Sequence, residues 1–571
     1  MKQFLQWQYW RAYVWPDKPE PAKSRQIARG RLRFLSIPAA LCFITIAAQA
    51  TNLSVFTADE RIYGRKTQDA IERGPILDRR GRLIASTVPV MVLHADPEKL
   101  LNPTETAAKL NAYLPKKTEE QIYHLLKRKT RYVELDRKIT PKRHADILQL
   151  GLPGIYITPA TTRLYPHGRE AAHLVGAVDI DGKGIAGIEL SQNAQLAAGQ
   201  PVHLSIDLGI QAIIRRTVAE QIEKFEAIGG VGLMLDMKTG ELLSMVSLPD
   251  FDPNHMMAST DDARFHQAAK GVFEMGSIFK ILNTAIALET GAVVPEDTID
   301  VRKPMRIGRF TINDYHPLQR DLNISEILVH SSNIGSAQMV ERVGPETQKA
   351  YMDKLGLLRP TALEIPENAL PLLPDRWGRL ASITIAYGHG LSVSPVQAAA
   401  AISAASGTGD YIAPTLLKRE AGHVPERVRI FSADTAKAVR SMMRLVVSHK
   451  SGTGNFADAP GYLVGGKTGT AEKIINKGYN KKSNRVSFVG TFPAHDPAYL
   501  IFVMVDEPKG QKHSYGYATA GWVAAPAIRK IVEQTAPLLG VTPVMSASPA
   551  LRQTLLPAVM IDGEEAIHAA F

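Results

Sequence analysis

The feature that most constrains this chain is a run of 20 residues, Phe34–Leu53, without a single charge. A helix that long matches the thickness of a hydrocarbon core, which needs about 20 apolar residues. Arg29, Arg31 and Arg33 stand directly before it, and Asp59 and Glu60 follow. Lys and Arg next to an apolar span stay on the cytoplasmic side. Residues 1–33 are therefore expected as a basic cytoplasmic tail and 34–54 as an anchor in the lipid bilayer. The rest of the chain is expected outside, in a periplasm. Ala48-Gln49-Ala50 also fits a small-residue cleavage site, but the long leader before the run favours an uncleaved anchor.

The anchor explains the composition. The net charge is +11, and residues 1–33 hold eight basic and two acidic residues, a net +6. The basic balance thus belongs to the membrane flank, and no nucleic-acid surface is expected. The one cysteine, Cys42, lies inside the run. The exported part then has neither a disulfide framework nor a cysteine-based metal site. Its stability must come from apolar burial, and no metal or cofactor is expected.

Beyond the anchor the chain divides near residue 226. Residues 55–225 read as short strands and turns, with a helical insert at about 100–150. Its Glu119–Lys129 stretch places Ile122, Leu125 and Leu126 on one face. Residues 226–545 open with GGVGLMLDMKTGELLSMVS, two apolar runs around a turn, which predicts a β-hairpin over 229–247. Helical patterns follow at Ser277–Leu288, Ser325–Arg342, Pro395–Ala405 and Ala433–Val447. Strand patterns return at about 462–473, 485–493 and 498–506. Strands from both ends around a helical block predict an α+β fold with an antiparallel sheet. Residues 472–483 read as a loop, and 546–571 as a loosely attached tail.

Three short motifs in the second half carry possible chemistry. Ser277 and Lys280 are three apart at the start of a helical pattern, so both lie on one face. A serine nucleophile needs a base in reach, and a lysine serves if its charged form is disfavoured. This is the only S-x-x-K in the chain. Ser331-Ser332-Asn333 and Lys467-Thr468-Gly469-Thr470 are weak alone, because decoys exist at Ser191-Gln192-Asn193 and Lys238-Thr239-Gly240. Order separates signal from decoy: S-x-x-K, S-x-N and K-T-G run in sequence from 277 to 469, the signature set of penicillin-binding proteins and class A β-lactamases. A rival exists. Gly461 to Thr468 matches the phosphate-loop pattern G-x-x-x-x-G-K-T, which must open a helix. The residues after Thr468 read as strand and loop instead.

With these motifs in place the chain resembles a class B penicillin-binding protein over nearly its whole length. Arg73-Gly74-Pro75-Ile76-Leu77-Asp78-Arg79, Arg163-Leu164-Tyr165-Pro166, His173 to Gly176 and Gly184 to Glu189 are similar to that family's pedestal motifs. PDFDPN at 249–254 and YGHGLSVSPVQ at 387–397 match its transpeptidase domain. Ile278 departs from it, standing where the family usually has Thr. The closest likeness is to the division-specific type, with the elongation-specific type as the alternative.

The resemblance implies an elongated pedestal over 55–225 and a transpeptidase domain over 226–545 with the fold of serine β-lactamases. It implies peptidoglycan stem peptides ending in D-Ala-D-Ala as substrates and an acyl-enzyme on Ser277. Lys280 takes the serine proton. Ser331, Asn333 and Lys467 complete the catalytic set, and Thr468, Gly469 and Thr470 bind the donor carboxylate end. β-Lactams are expected to acylate Ser277 and stay attached. The chain shows no glycosyltransferase motif, so a membrane-embedded glycan polymerase and other division proteins are the expected partners. A D,D-carboxypeptidase, a β-lactamase and a catalytically inert scaffold are the competing functions.

Overall fold

The computed structural model describes residues 21–51, 72–475, 478–545, 551 and 558–567. Contacts divide the chain into two compact units. One holds residues up to 71 together with 92–136 and 141–158. The other holds 72–91, 137–140 and everything from 159 onward. The segments 72–91 and 159–225, expected in the pedestal, thus pack in the same unit as the chemistry-bearing half.

In the first unit a helix runs from Pro21 to Thr51. Its apolar side chains Phe34, Ile37, Phe43 and Ile44 are exposed. Residues 52–54 of the expected anchor lie outside the described residues, and among those described no helix is long and apolar enough to cross a membrane. The insert is helical where expected. Glu119–Leu126 starts from a capping box in which Thr118 and Gln121 satisfy each other's backbone N–H groups. Ile122 and Leu126 are its buried side chains.

The second unit is built on one antiparallel sheet. A helix α1 (Leu208–Lys224) leads into the hairpin β1 (Gly229–Asp236) and β2 (Leu242–Leu248). The helical block follows: α2 (Phe279–Glu289), α3 (Ile324–Val329), α4 (Asn333–Val343), α5 (Pro395–Ser406) and α6 (Ala433–Ser448). Then come β3 (Gly465–Ile475), β4 (Gly478–Phe492), β5 (Tyr499–Asp506) and α7 (Ala520–Thr535). The sheet order is β3-β4-β5-β1-β2, so strands from both ends of the domain meet where β5 pairs with β1.

Both faces of this sheet are covered, which explains its near-continuous apolar strands. Along β5, Leu500, Phe502 and Met504 join one core, which also holds side chains of α2, α5 and α6. Ile501, Val503 and Val505 join the other, with side chains of α1 and α7. Side chains alternate between faces along a strand, so an apolar run is the pattern of a strand buried on both sides. A Cβ on Gly232 would lie 2.5 Å from Ile214 Cγ2, so the glycine lets α1 lie close on β1.

Three local expectations change. The helical pattern Ser325–Arg342 is two helices, broken at His330–Ser332, where Ser331 takes a left-handed φ of 59°. Periodicity alone does not see the break, because the apolar face resumes after it. The expected loop at 472–483 is strand: β3 and β4 pair to Ile475↔Gly478 across an irregularity at Glu472/Lys473. Lys473 there pairs with Asp506 and Glu507, so a lysine that read as loop composition is a cross-strand partner. In the tail, β6 (Ala558–Ile561) and β7 (Glu564–Ile567) form a hairpin. Ile561 is fully buried in the larger core cluster, so this part is packed rather than loose.

Candidate active site

The three motifs converge in the second unit. Gly276–Ile278 form a tight helical turn that runs directly into α2. Ser277 is half-buried there, and Lys280 is fully buried one turn on. Gly276 has a φ of 56°, and a Cβ on it would stand 2.4 Å from the Thr470 carbonyl oxygen. A Cβ on Gly469 would meet Ile278 Cγ1 at 2.7 Å. The K-T-G strand β3 thus lies directly against the nucleophile turn, and Ile278 packs on it with no exposure.

The S-x-N loop closes the other side. Lys280 Nζ donates to Ser331 O at 2.6 Å, Ser331 Oγ at 3.1 Å and Asn333 Oδ1 at 2.7 Å. All three partners are neutral. Burial and the neighbouring Lys467 push the Lys280 ammonium well below the usual lysine range, and Asp314 opposes the shift. Burial lowers Lys467 to about 7. Lys467 Nζ lies 3.3 Å from Thr468 O and Thr468 Oγ1, and Thr468 Oγ1 is 2.8 Å from Thr453 Oγ1. Two buried lysines with depressed proton affinity, one of them a helical turn beyond Ser277, are groups suited to proton exchange.

Residues that the sequence did not single out hold this centre. Asp314 is the main one. Its carboxylate accepts from Ser332 Oγ at 2.7 Å, Asn333 N at 2.5 Å and Ile334 N at 3.0 Å. It thereby caps α4 and fixes the loop that carries Ser331 and Asn333. Hydrogen bonds to a charged acceptor are worth about 1.5–3 kcal/mol each. Asp314 is 17 positions before Ser331 in no recognisable spacing, so no local signal marks it. Glu274 is the second. It accepts from Gly390 N at 2.7 Å and lies 2.9 Å from His389 Nδ1. That anchors the Tyr387–Gly390 segment, whose Gly388 carbonyl accepts from Gly276 N at 3.1 Å.

The decoys sit elsewhere. Lys238-Thr239-Gly240 is the β1–β2 turn, where Asp236 Oδ1 accepts from Lys238 N and Thr239 N. Asn193 Oδ1 accepts from Arg73 Nη1, in a buried ionic cluster. There Glu189 receives Arg73 Nε and Arg163 Nε, both at 2.7 Å. Three of the pedestal motifs therefore meet in one salt-bridged knot. The phosphate-loop reading fails on structure, because Lys467 lies inside β3 and no helix follows it.

A serine at a helix start whose turn packs on the K-T-G strand, with the lysine one turn on bonded to a capped S-x-N loop, fits a class: enzymes that transfer an acyl group through a covalent serine. The comparisons agree and narrow it. Residues 230–533 match the penicillin-binding protein transpeptidase domain, and residues 68–200 the penicillin-binding protein dimerisation domain. The chain is 36% identical to a probable peptidoglycan D,D-transpeptidase FtsI of Caulobacter vibrioides, over 94% of each chain. It is 30% identical to the peptidoglycan D,D-transpeptidase FtsI of Buchnera aphidicola subsp. Schizaphis graminum, over 81% of this chain and 85% of that one. Among solved structures, penicillin-binding protein 3 of Mycobacterium tuberculosis complexed with aztreonam superposes with a TM-score of 0.67 at 26% identity. That match covers 83% of this chain and 98% of the other. The chain belongs to the penicillin-binding protein transpeptidase family.

Proposed function

We propose that this protein is a peptidoglycan D,D-transpeptidase of the division-specific type, acting through an acyl-enzyme on Ser277. The observation that carries the reading is the three-way hydrogen bonding of buried Lys280 to Ser331 and Asn333, with its ammonium destabilised. The names of the FtsI relatives support the substrate and the division role.

Ser277 Oγ attacks the penultimate D-Ala carbonyl of a donor stem peptide, and its proton passes to neutral Lys280. The amide C–N bond breaks. The proton reaches the leaving amine through Ser331, and free D-Ala departs. An amine of a neighbouring stem then attacks the Ser277 ester, closing the cross-link and restoring the hydroxyl. Asn333 holds Lys280 in place. Lys467, Thr468 and Thr470 bind the donor carboxylate, with Gly469 giving the close approach to Ile278. The backbone N–H groups of Ser277 and Thr470 stabilise the tetrahedral oxyanion; one such donor is worth about 3–4 kcal/mol.

Residues 34–54 anchor the protein in the inner membrane, with 1–33 in the cytoplasm and the remainder periplasmic. The uncharged run Phe34–Leu53, with Arg29, Arg31 and Arg33 directly before it, supports this. Residues 55–225 form the pedestal and 226–545 the transpeptidase domain. The glycan strands to be joined come from a membrane-embedded polymerase.

The test is a gel of the full chain labelled with a fluorescent penicillin, beside Ser277→Ala. A stable covalent band in the native protein and none in the variant is expected. Penicillin hydrolysis without a band means a β-lactamase, and neither outcome means an inert scaffold. Incubation with a stem peptide and an amine acceptor then separates transpeptidation from water-driven carboxypeptidation by product mass.

A further inference from the structure

We infer that the C-terminal hairpin Ala558–Ile567 clamps the two walls of the active-site cleft, and that Asp562 at its tip is a positioning residue for acyl transfer. The inference rests on the acyl-transfer reading of that cleft.

The hairpin is tied to the wall that carries the S-x-N loop. Asp562 Oδ1 lies 3.0 Å from His330 Nε2, and His330 immediately precedes Ser331. Arg320 Nη2 donates to Glu326 Oε1 at 2.7 Å and to Asp562 Oδ1 at 2.8 Å. Asp562 N donates to Glu326 Oε1 at 2.9 Å. Asn323, which caps α3, donates through Nδ2 to Met560 O at 2.6 Å. The first turn of the short helix α3 is therefore bonded to the hairpin through Asn323 and Glu326, and His330, which follows its last turn and precedes Ser331, lies against Asp562.

The same tip reaches the opposite wall. Lys450 Nζ donates to both carboxylate oxygens of Glu564 at 2.6 Å, Ser451 beside it helps hold the Asp562 carboxyl below its usual range, and Thr453 in the same segment bonds Thr468 of the K-T-G strand. The hairpin thus touches both the segment before Ser331 and the segment that carries the partner of Thr468. Asp562 adopts a φ of 54°, and Ile561 beside it is fully buried. Asp562-Gly563 is the two-residue turn of the hairpin, a geometry in which Asp and Gly favour positive φ, so the paired strands fix where the carboxylate sits.

Glu326, His330 and Asp562 offer donor atoms within 4.8 Å of one another, an arrangement that could ligate a cation. The Arg320 guanidinium bonds both carboxylates and already supplies the positive charge. The cluster is therefore better read as a latch than as a metal site. The Lys450–Glu564 pair is exposed and adds little stability, so its part is to place the hairpin against the second wall.

The clamp sets the separation of Ser331 from Lys467, so its loss is expected in the chemical step. The experiment compares the full-length protein with Asp562→Asn and with a chain ending at residue 557. It measures acylation of Ser277 by a fluorescent penicillin as a function of penicillin concentration, alongside thermal unfolding. The limiting acylation rate is expected to fall about tenfold in Asp562→Asn, within the loss that a misplacement of about 1 Å can cause. The half-saturating concentration and the melting temperature should stay near native, and the truncation should lose at least as much rate. Native rates in both variants overturn the clamp, as does a rate loss that only follows a lowered melting temperature. Should Asp562→Asn not fold, Ser451→Ala, which cuts one wall only, is judged by the same criteria. Failure of the native protein to label overturns the acyl-transfer reading and the clamp with it, whereas native labelling matched by the variants overturns the clamp alone.

Discussion

Two places in this molecule bury charged side chains, and they treat them oppositely. In the knot around Glu189, two guanidiniums meet one carboxylate with paired 2.7 Å contacts, and the carboxylate has no exposure. Around Ser277, Lys280 and Lys467 are equally buried, yet their Nζ atoms hydrogen-bond neutral oxygens. Asp314, the carboxylate nearby, is spent on the S-x-N loop. The knot sets a carboxylate between its two guanidiniums, so its charges serve structure. The centre leaves its lysines unneutralised, so they shed protons more easily and become useful for proton transfer. Burial is common to both; the presence of a counter-charge decides between scaffold and chemistry.

The comparison breaks most visibly at Glu189. Glu189→Gln leaves Arg73 and Arg163 buried without a counter-charge, and a loss of about 3–5 kcal/mol is expected. Chemical denaturation followed by circular dichroism measures it; a loss under about 1 kcal/mol would mean that the knot is not a structural charge pair. Asp314→Asn attacks the centre through its support. The cap on α4 weakens and the carboxylate that favours charged Lys280 disappears. Acylation of Ser277 should slow by up to about 100-fold. The acidic limb of its pH profile should move to lower pH, because Lys280 then gives up its proton more readily. An unshifted limb would place the limiting ionisation on another group.

The smallest effect has the opposite sign to the first. Folded Lys467 titrates at about 7 against an ordinary 10.5. Between those values the unfolded chain binds a proton that the folded chain does not. This contribution therefore raises stability with increasing pH across the window and is fully lost below it. Lys467→Met should remove that dependence and stabilise the protein by about 1–2 kcal/mol at pH 7 while abolishing acylation. Unfolding curves at pH 7 and pH 9 check both points. Removing a buried charge would then cost stability in the knot and gain it in the centre.

Much of this site was legible before any coordinates. Ser277, Lys280, Ser331, Asn333 and Lys467 stand in ordered motifs, and the sheet strands are visible as apolar runs bounded by turns. What escaped was of another kind. Asp314 and Glu274 act through contacts across 18 to 116 positions of chain, and a single Asp or Glu has no periodicity to betray it. The break between α3 and α4 hid because both helices share one apolar face. The hairpin at 558–567 hid because its strands are only four residues each, too short for a clear alternation, and much of its hold comes from polar contacts.

The sequence by itself determined which groups could react, since a nucleophile, a base and their order along the chain are properties of residues. It also determined the uncharged run at 34–53, because charge spacing along a helix needs no fold to be read. The tertiary structure decided which of two K-T-G triplets and two S-x-N triplets joins the serine. It decided that two lysines lose contact with water, and that Asp314 and Asp562 stand against the S-x-N loop. These follow from packing, because solvation and counter-charge depend on neighbours that only the folded chain brings together.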